Sequence, residues 1–152
     1  MTAPAYPFTA FNLSVEINKG DGAPLVSAAF SECDGLEMTM EVKTIREGGN
    51  NTRQIRLNGP LAFGQLTLKR GMTDDFGLWT WFREVTAEPR KRASAEVVVL
   101  AADGVTERVR FALDRCVPVK LKAPPLSGKD GQVAVEELQL AYESLKLVPP
   151  ET

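Results

Sequence analysis

The side chains that most often carry catalysis are scarce in this sequence. It has no histidine and only two cysteines, Cys33 and Cys116. Without histidine there is no Ser-His-Asp or Cys-His nucleophile pair and no imidazole metal ligand. Two thiols are too few for a four-thiolate zinc site within one chain. Paired carboxylates and Ser-Lys dyads remain as catalytic options, and we predict that both cysteines are reduced and pack as small apolar side chains.

One group of carboxylates has residue types that a hydrolase could use. Asp74 and Asp75 precede a predicted helix that contains Glu84, and paired carboxylates can act as acid and base in hydrolysis. Acidic residues at a helix start also interact favourably with the positive end of the helix dipole, which accounts for both aspartates without catalysis. The sequence therefore predicts a protein that is not an enzyme and uses no metal or cofactor, with a carboxylate hydrolase as the catalytic alternative.

Two further segments have the residue types, but not the pattern, of nucleic-acid or phosphate sites. Arg90-Lys91-Arg92 lacks interleaved aromatic residues and follows a helix end, where basic residues complement the dipole. Gly128-Lys129-Asp130-Gly131 lacks the preceding glycine and the following Ser or Thr of a phosphate-binding loop. The formal net charge of −2 also gives no general attraction to nucleic acid. We interpret the first segment as solvated and the second as a turn.

Most of the chain has patterns that predict strands. Apolar residues alternate with polar ones, or form β-branched runs, in residues 8–18, 36–45, 53–57, 62–70, 95–102 and 108–119, and an apolar run spans 25–33. The alternation is clearest in residues 36–45, which a Gly-Gly-Asn-Asn turn follows. Together they predict a long antiparallel hairpin with one solvent-exposed face. The length of 152 residues, without a linker or repeat, predicts a single domain over residues 1–152.

A helix is predicted before Pro89, with Thr73 or Asp74 as its cap. Phe76, Trp79 and Phe82 recur every three residues, which predicts a buried face with Trp79 in the core. That face is widened by Leu78, Trp81 and Val85.

The last segment, residues 133–148, has two incompatible patterns. Val135, Leu138 and Tyr142 have helical spacing, and the composition favours a helix. Leu138, Leu140 and Tyr142 also alternate with polar neighbours, as in a strand. Local propensity alone favours the helix.

Three stretches, in order along the chain, resemble one known family. Residues 30–50, FSECDGLEMTMEVKTIREGGN, are similar to its Cys-x-Gly-Leu turn, alternating strand and Glu-Gly-Gly-Asn loop. Residues 66–81, LTLKRGMTDDFGLWTW, resemble its Leu-Lys-Arg-Gly strand end before a Trp-containing helix. Residues 111–126, FALDRCVPVKLKAPPL, resemble its proline-containing strand and loop, although Cys116 stands where an aromatic residue is common. The chain thus resembles the tail-tube proteins of contractile phages, contractile bacteriocins and extracellular contractile injection systems.

The resemblance implies a mainly β fold of packed antiparallel sheets, a sandwich or barrel, with one flanking helix. It implies that residues 133–148 are extended, and that six-membered rings stack into a hollow tube driven through a target envelope by sheath contraction. The expected partners are further copies of the chain, a sheath protein, baseplate or adaptor proteins, and cargo or DNA passing through the lumen.

Two sets of residues receive roles from the same resemblance. Glu37, Thr39, Glu41 and Lys43 are predicted to face the lumen. The loop predicted to contact a neighbouring subunit or ring consists of Arg46, Glu47, Gly48, Gly49, Asn50 and Asn51.

Two other protein classes stay open as alternatives. A ring protein of a type VI secretion system has a similar fold, and a monomeric ligand-binding β-barrel would have an apolar pocket and no self-assembly.

The N-terminal residues show no signal-peptide pattern and no segment has the length of a membrane span, so we expect synthesis in the cytoplasm, no membrane insertion of the monomer, and residence in the assembled particle.

Overall fold

Antiparallel strands dominate the computed structural model, which describes residues 12–20, 24–46, 48–49, 53–126, 128 and 133–150. In this part of the chain there are ten strands and one helix. In chain order they are β1 (Asn12–Asn18), β2 (Pro24–Ala29), β3 (Glu32–Asp34), β4 (Met38–Arg46), β5 (Gln54–Phe63), β6 (Gln65–Gly71), α1 (Gly77–Ala87), β7 (Ala93–Leu100), β8 (Glu107–Lys122), β9 (Val135–Ala141) and β10 (Ser144–Val148).

The longest strand, β8, joins the two halves of the main sheet. The strand order is β2-β1-β7-β8-β9-β6-β3, and β10 also pairs with β8. The first half of β8 pairs with β7 and β10, and its second half pairs with β9. Between these halves Arg115 has a φ of 53°, so the strand changes direction there. Packed antiparallel sheets with one helix confirm the predicted fold class.

One apolar core lies under the helix and between the two halves of the sheet. Alternate residues of β1, β6, β7 and β9 are buried, as the period of two requires for strands with one face inside. Leu78 and Trp81 bring the helix into the same cluster. The other buried members include Val15, Ile17, Leu66, Leu68, Val97, Leu113, Leu138 and Leu140.

The C-terminal segment is extended, as the resemblance implies. In β9, Leu138 pairs with Leu68 of β6, and Leu140 pairs with Leu66. All four of these leucines are fully buried. The long-range burial of apolar side chains outweighs the local helix propensity, because propensity differences amount to only a few tenths of a kcal/mol per residue.

The start and the buried face of α1 both differ from the sequence prediction. Phe76 occupies the cap position without a side-chain cap, so the predicted Thr73 or Asp74 cap is wrong. Instead the Asp75 carboxylate accepts a hydrogen bond from the N–H of Gly77 at 3.0 Å. Leu78 and Trp81 are the buried helix residues, whereas Trp79 is half-buried and Phe76 is 54% exposed. The helix therefore packs through the face that the sequence analysis treated as secondary.

Candidate assembly interface

Strands β4 and β5 form a separate two-stranded sheet, which we call the arm (residues 38–63). Among the described residues, neither strand pairs with any strand of the main sheet. Every residue of β4 is exposed. Large apolar side chains are among them: Met38 is 59% exposed, Met40 47% and Val42 52%. The sequence predicted one solvent-exposed face and one covered face, but within a single chain most large apolar side chains of the arm are uncovered.

The arm contains a β-bulge at Gly59 and Pro60, which the sequence analysis placed between two separate strands. Met40 pairs with Leu61, and Val42 pairs with Asn58, so two steps on β4 match three steps on β5. Proline has no N–H to donate to a ladder, and bulges are where sheets accommodate it. A Cβ on Gly59 would lie 2.5 Å from the carbonyl oxygen of Glu41, so the close approach of the strands requires glycine there.

Tyr142 fixes the root of the arm to the body. Its buried hydroxyl donates a hydrogen bond to the Gly35 carbonyl at 2.6 Å and accepts one from the Glu37 N–H at 3.1 Å. Its ring packs against that of Phe63, with centroids 5.6 Å apart. At the same point Gly35 has a φ of +105°, and a Cβ there would lie 1.9 Å from the Gln65 carbonyl oxygen. The arm therefore leaves the body in a defined direction.

The structure separates Glu37 from the other residues predicted to face a lumen. Thr39, Glu41 and Lys43 are exposed and share one face of β4 by alternation, with Ile45 next in that row. Glu37 precedes β4, and its side chain lies so close to Gly64 that a Cβ there would be 2.6 Å from Glu37 Cγ. Only three of the four residues therefore form a row on the arm.

The tip loop is partly described. Arg46 is the exposed last residue of β4, and Gly48 and Gly49 form a turn in which Gly49 has a φ of +91°. The remaining residues of the predicted contact loop, Glu47, Asn50 and Asn51, lie outside the described residues.

A buried ion pair that the sequence patterns did not predict attaches the helix to the sheet. Arg70 of β6 and Glu136 of β9 pair across the strands, with 2.6 Å between Nε and Oε1. Trp79 donates its ring N–H to the second Glu136 oxygen at 3.0 Å, and Arg70 also donates to the Asp75 carbonyl. Arg70 and Glu136 are 5% and 1% exposed. The periodicity of the strands could have revealed the pair. Arg70 lies two and four positions from the buried Leu68 and Leu66, and Glu136 lies two and four positions from the buried Leu138 and Leu140.

The candidate catalytic carboxylates do not converge. Asp75 precedes α1, and the seven positions from Gly77 to Glu84 alone correspond to about 10 Å along the helix axis, beyond the separation of paired catalytic carboxylates. Asp75 contacts Gly77 and Arg70, whereas Glu84 pairs with Lys19 at 3.0 Å. No group of three or more His, Cys, Asp or Glu side chains in the described ranges could hold a metal ion.

The remaining candidates have local structural roles. In the basic run, Arg92 donates to the carbonyl of Pro89 at 2.7 Å, and Lys91 pairs with Glu88 at 3.5 Å. Burial raises the pKa of the Cys33 thiol to about 11 and that of Cys116 to about 12, so both are free thiols in the neutral form. Within the part of the chain that is described, no helix is long and apolar enough to cross a membrane.

Comparisons with known proteins agree with this architecture. A family model described as T4-like virus tail tube protein gp19 matches residues 9–146. A chain in the cryo-EM structure of the anti-feeding prophage (AFP) baseplate is 25% identical, with a TM-score of 0.79 and 98% of each chain covered. A search of curated proteins found no match.

Two other solved structures show the fold alone, because their identities are low. A chain of the PVC sheath-tube complex, an extracellular contractile injection system, is 16% identical with a TM-score of 0.81, covering 95% of this chain and 93% of that one. Hcp1 from Flavobacterium johnsoniae is 13% identical with a TM-score of 0.55, covering 93% and 98%.

Proposed function

This chain belongs to the T4-like virus tail tube protein gp19 family, and from that premise we propose that its copies form six-membered rings that stack into the hollow inner tube of a contractile injection particle. The chain is a tail tube protein of the contractile-injection type. A family of structural tube proteins fits the expectation of a mechanical rather than a catalytic role.

The observation that carries the proposal is the uncovered arm. Its exposed apolar side chains occupy a two-stranded sheet, which is marginally stable in water without a third strand or a covering layer. Covering a half-exposed Met or Leu side chain contributes about 1 kcal/mol. Repeated around a ring, this contribution favours assembly over the free subunit.

In the proposed tube, Thr39, Glu41 and Lys43 line the channel together with Glu37. They are exposed polar side chains on or beside one strand, opposite the row of Met38 and Met40. The loop of residues 46–51 contacts a neighbouring subunit or ring. A density map of the tube that places Thr39 and Glu41 on its outer surface would overturn the channel assignment.

A sheath protein and baseplate or adaptor proteins are the other proposed partners. The similar structures are a baseplate and a sheath-tube complex, which supports this set of partners for a chain with the same fold. Cargo or DNA would pass through the lumen, and synthesis in the cytoplasm would precede assembly.

A type VI secretion ring protein is the less favoured candidate, since a type six secretion system protein has a TM-score of 0.56 to this chain, whereas chains of the injection-particle structures have TM-scores of 0.79–0.82. A monomeric ligand-binding barrel is also less favoured, because it would leave the apolar side chains of the arm exposed to water. Leucine, valine and tryptophan side chains occupy the core, where such a barrel would have its ligand pocket.

Negative-stain electron microscopy of the purified protein, with its mass measured by light scattering, tests the proposal. Rings or hollow tubes are expected. A strict monomer at high concentration, which persists when sheath and baseplate proteins are co-expressed, would refute the proposed assembly.

A further inference from the structure

The side of α1 that faces away from the core carries aromatic residues and no carboxylate. Leu78 and Trp81 are the buried residues of the helix. At about 100° per residue, the opposite, outward side consists of Phe76, Trp79, Thr80, Arg83, Thr86 and Ala87. Phe76 is 54% exposed, and Trp79 and Phe82 are half-buried. The three aromatic residues whose spacing predicted a buried face therefore lie on or beside the uncovered side of the helix.

A groove of about 750 Å³ lies between α1 and the end of β8. Trp79, Phe82 and Leu121 provide its apolar walls, and Arg83 is the charged residue in its lining. The Trp79 ring is held in place by the hydrogen bond from its N–H to the buried Glu136. The aromatic wall is thus fixed before anything binds, which lowers the entropic cost of binding there.

Basic side chains surround the C-terminal end of the same helix, and we call them the basic cluster: Lys19, Arg83, Arg90, Lys91 and Arg92. Three of them, Lys19, Lys91 and Arg92, line a cavity of about 180 Å³ over the buried Trp81 ring. Lys19 pairs with Glu84, and Lys91 pairs with Glu88. After these two pairs are counted, the cluster keeps a net charge of +3.

The charge of the basic cluster is opposite to that of the rest of the chain. Without the cluster and its two glutamates, the chain has thirteen basic and eighteen acidic residues, a net charge of −5. Asp74 and Asp75 precede the other end of α1, which is about 16 Å away along the helix axis. The positive charge is therefore concentrated beside the aromatic groove.

This combination of side chains is typical of protein surfaces at the level of lipid headgroups. Trp is enriched where a membrane meets water, and Lys and Arg are attracted to anionic leaflets. The outward side of α1 is about 16 Å long and about 10 Å wide, much smaller than the area of about 800 Å² that each partner buries in a stable protein complex. A lipid surface does not require such an area, because apolar contacts and cations act on it together.

We propose that the outward side of α1 and the basic cluster bind the headgroup region of membranes that contain anionic phospholipids. The cluster contacts the phosphate groups, and Phe76 and the groove beside Trp79 contact the apolar edge of the interface. The chain adheres to the membrane surface through these contacts and does not span the bilayer.

The binding requires only the subunit, whereas its role rests on the proposed tube. A six-membered ring with α1 on its outer wall presents six such surfaces, and weak contacts that act on one membrane reinforce each other. A tube driven into a target envelope then holds the surrounding lipid against its wall.

Flotation of the purified protein with lipid vesicles tests the proposal. One set of vesicles contains phosphatidylglycerol and phosphatidylcholine in equal parts, and the other contains phosphatidylcholine alone. We expect binding to the first set only, and weaker binding at high salt because salt screens the charges. R83Q/R90Q should weaken binding by about 30-fold, since each basic side chain near an anionic surface strengthens it about fivefold.

Two further variants complete the test. F76Q should weaken binding without changing its salt dependence, because it removes an apolar contact and no charge. K69Q/K146Q is the matched control: it removes one cation from β6 and one from β10, and should bind as the wild type does. Arg83, Arg90 and Phe76 are exposed, so the melting temperatures of these variants should match that of the wild type.

The outcomes separate this inference from the proposed function, because flotation needs no assembly. Failure to bind the anionic vesicles, equal binding to both sets, or equal losses in R83Q/R90Q and K69Q/K146Q would overturn the membrane surface. Binding of a single-stranded oligonucleotide in place of vesicles would also overturn it, in favour of a nucleic-acid surface. If vesicles are bound but electron microscopy shows neither rings nor tubes, the proposed function fails and the membrane surface stands.

Discussion

At the scale of single residues, the Arg70–Glu136 pair carries the greatest risk to stability. We expect Glu136→Gln to destabilise the chain by about 3–5 kcal/mol, because it leaves a buried guanidinium without its counter-charge. Chemical denaturation of the subunit under non-assembling conditions measures this effect. Glu143→Gln is the control, since its pair with Arg115 is more than half exposed and should cost less than about 1 kcal/mol. Equal losses in the two variants would contradict the role assigned to the buried pair.

The two cysteines permit a second prediction. Because burial raises the pKa values of Cys33 and Cys116 to about 11 and about 12, almost no thiolate is present at pH 8. Neither should react with a thiol-specific disulfide reagent in the native protein, and both should react in denaturant. Rapid modification of either thiol in the folded chain would be inconsistent with that burial.

At the scale of elements, Tyr142 connects β9 to the arm. Tyr142→Phe removes the hydroxyl and leaves the Gly35 carbonyl and the Glu37 N–H without that partner, so we expect a loss of about 1–3 kcal/mol measured by thermal or urea denaturation. Thr86→Ala is the control, because its hydroxyl bonds the Phe82 carbonyl on the exposed side of α1 and should change stability by less than about 0.5 kcal/mol. A Tyr142→Phe variant as stable as this control would mean that the root is held by packing alone.

The turn between β7 and β8 introduces a pH dependence. Hydrogen bonds from Thr106 and Val105 lower the pKa of Asp103 from 3.8 to about 2. A lowered pKa in the folded state stabilises the chain fully above the unfolded value, and that contribution is lost as the pH falls from about 4 through about 2. The melting temperature of the wild type should therefore fall more steeply over this window than that of Asp103→Asn. Parallel curves would exclude the turn as a source of acid sensitivity.

The elements also show how far sequence patterns extend. The alternation of apolar and polar residues correctly predicted β1, β4 and β8, because the apolar side chains of each strand lie on one face. It did not predict that β5 continues through Gly59 and Pro60, since a bulge is defined by its partner strand. Local propensity favoured a helix where β9 forms, and only the long-range pairing of Leu138 and Leu140 with β6 decides against it. The Arg70–Glu136 pair was hidden for the same reason, as each residue acquires its partner across strands 66 positions apart.

At the scale of the whole molecule, the buried core lies in the body and the arm projects from it. Most large apolar side chains of the arm are exposed in the single chain, whereas every member of the buried apolar cluster lies in the body. Stability of the subunit and the ability to assemble should therefore be separable by mutation.

A deletion tests that separation. Removing residues 49–52 shortens the tip loop without touching the core, so we expect a folded monomer with the same cooperative unfolding but no polymerisation. Light scattering and electron microscopy measure the second property, and circular dichroism the first. Normal tubes from this deletion would show that the tip is dispensable.

An arm whose exposed apolar side chains must be covered by other copies has a consequence for growth. Each subunit added at the end of a stack covers the apolar side chains of the arms below it and exposes those of its own arm. The end of the stack therefore has the same exposed apolar surface after every step. The contacts at the end of such a polymer are the same whatever the number of rings, so the subunit alone does not determine the length. Its length must then be set from outside, by a ruler that spans it or by a terminal partner that binds without offering another arm.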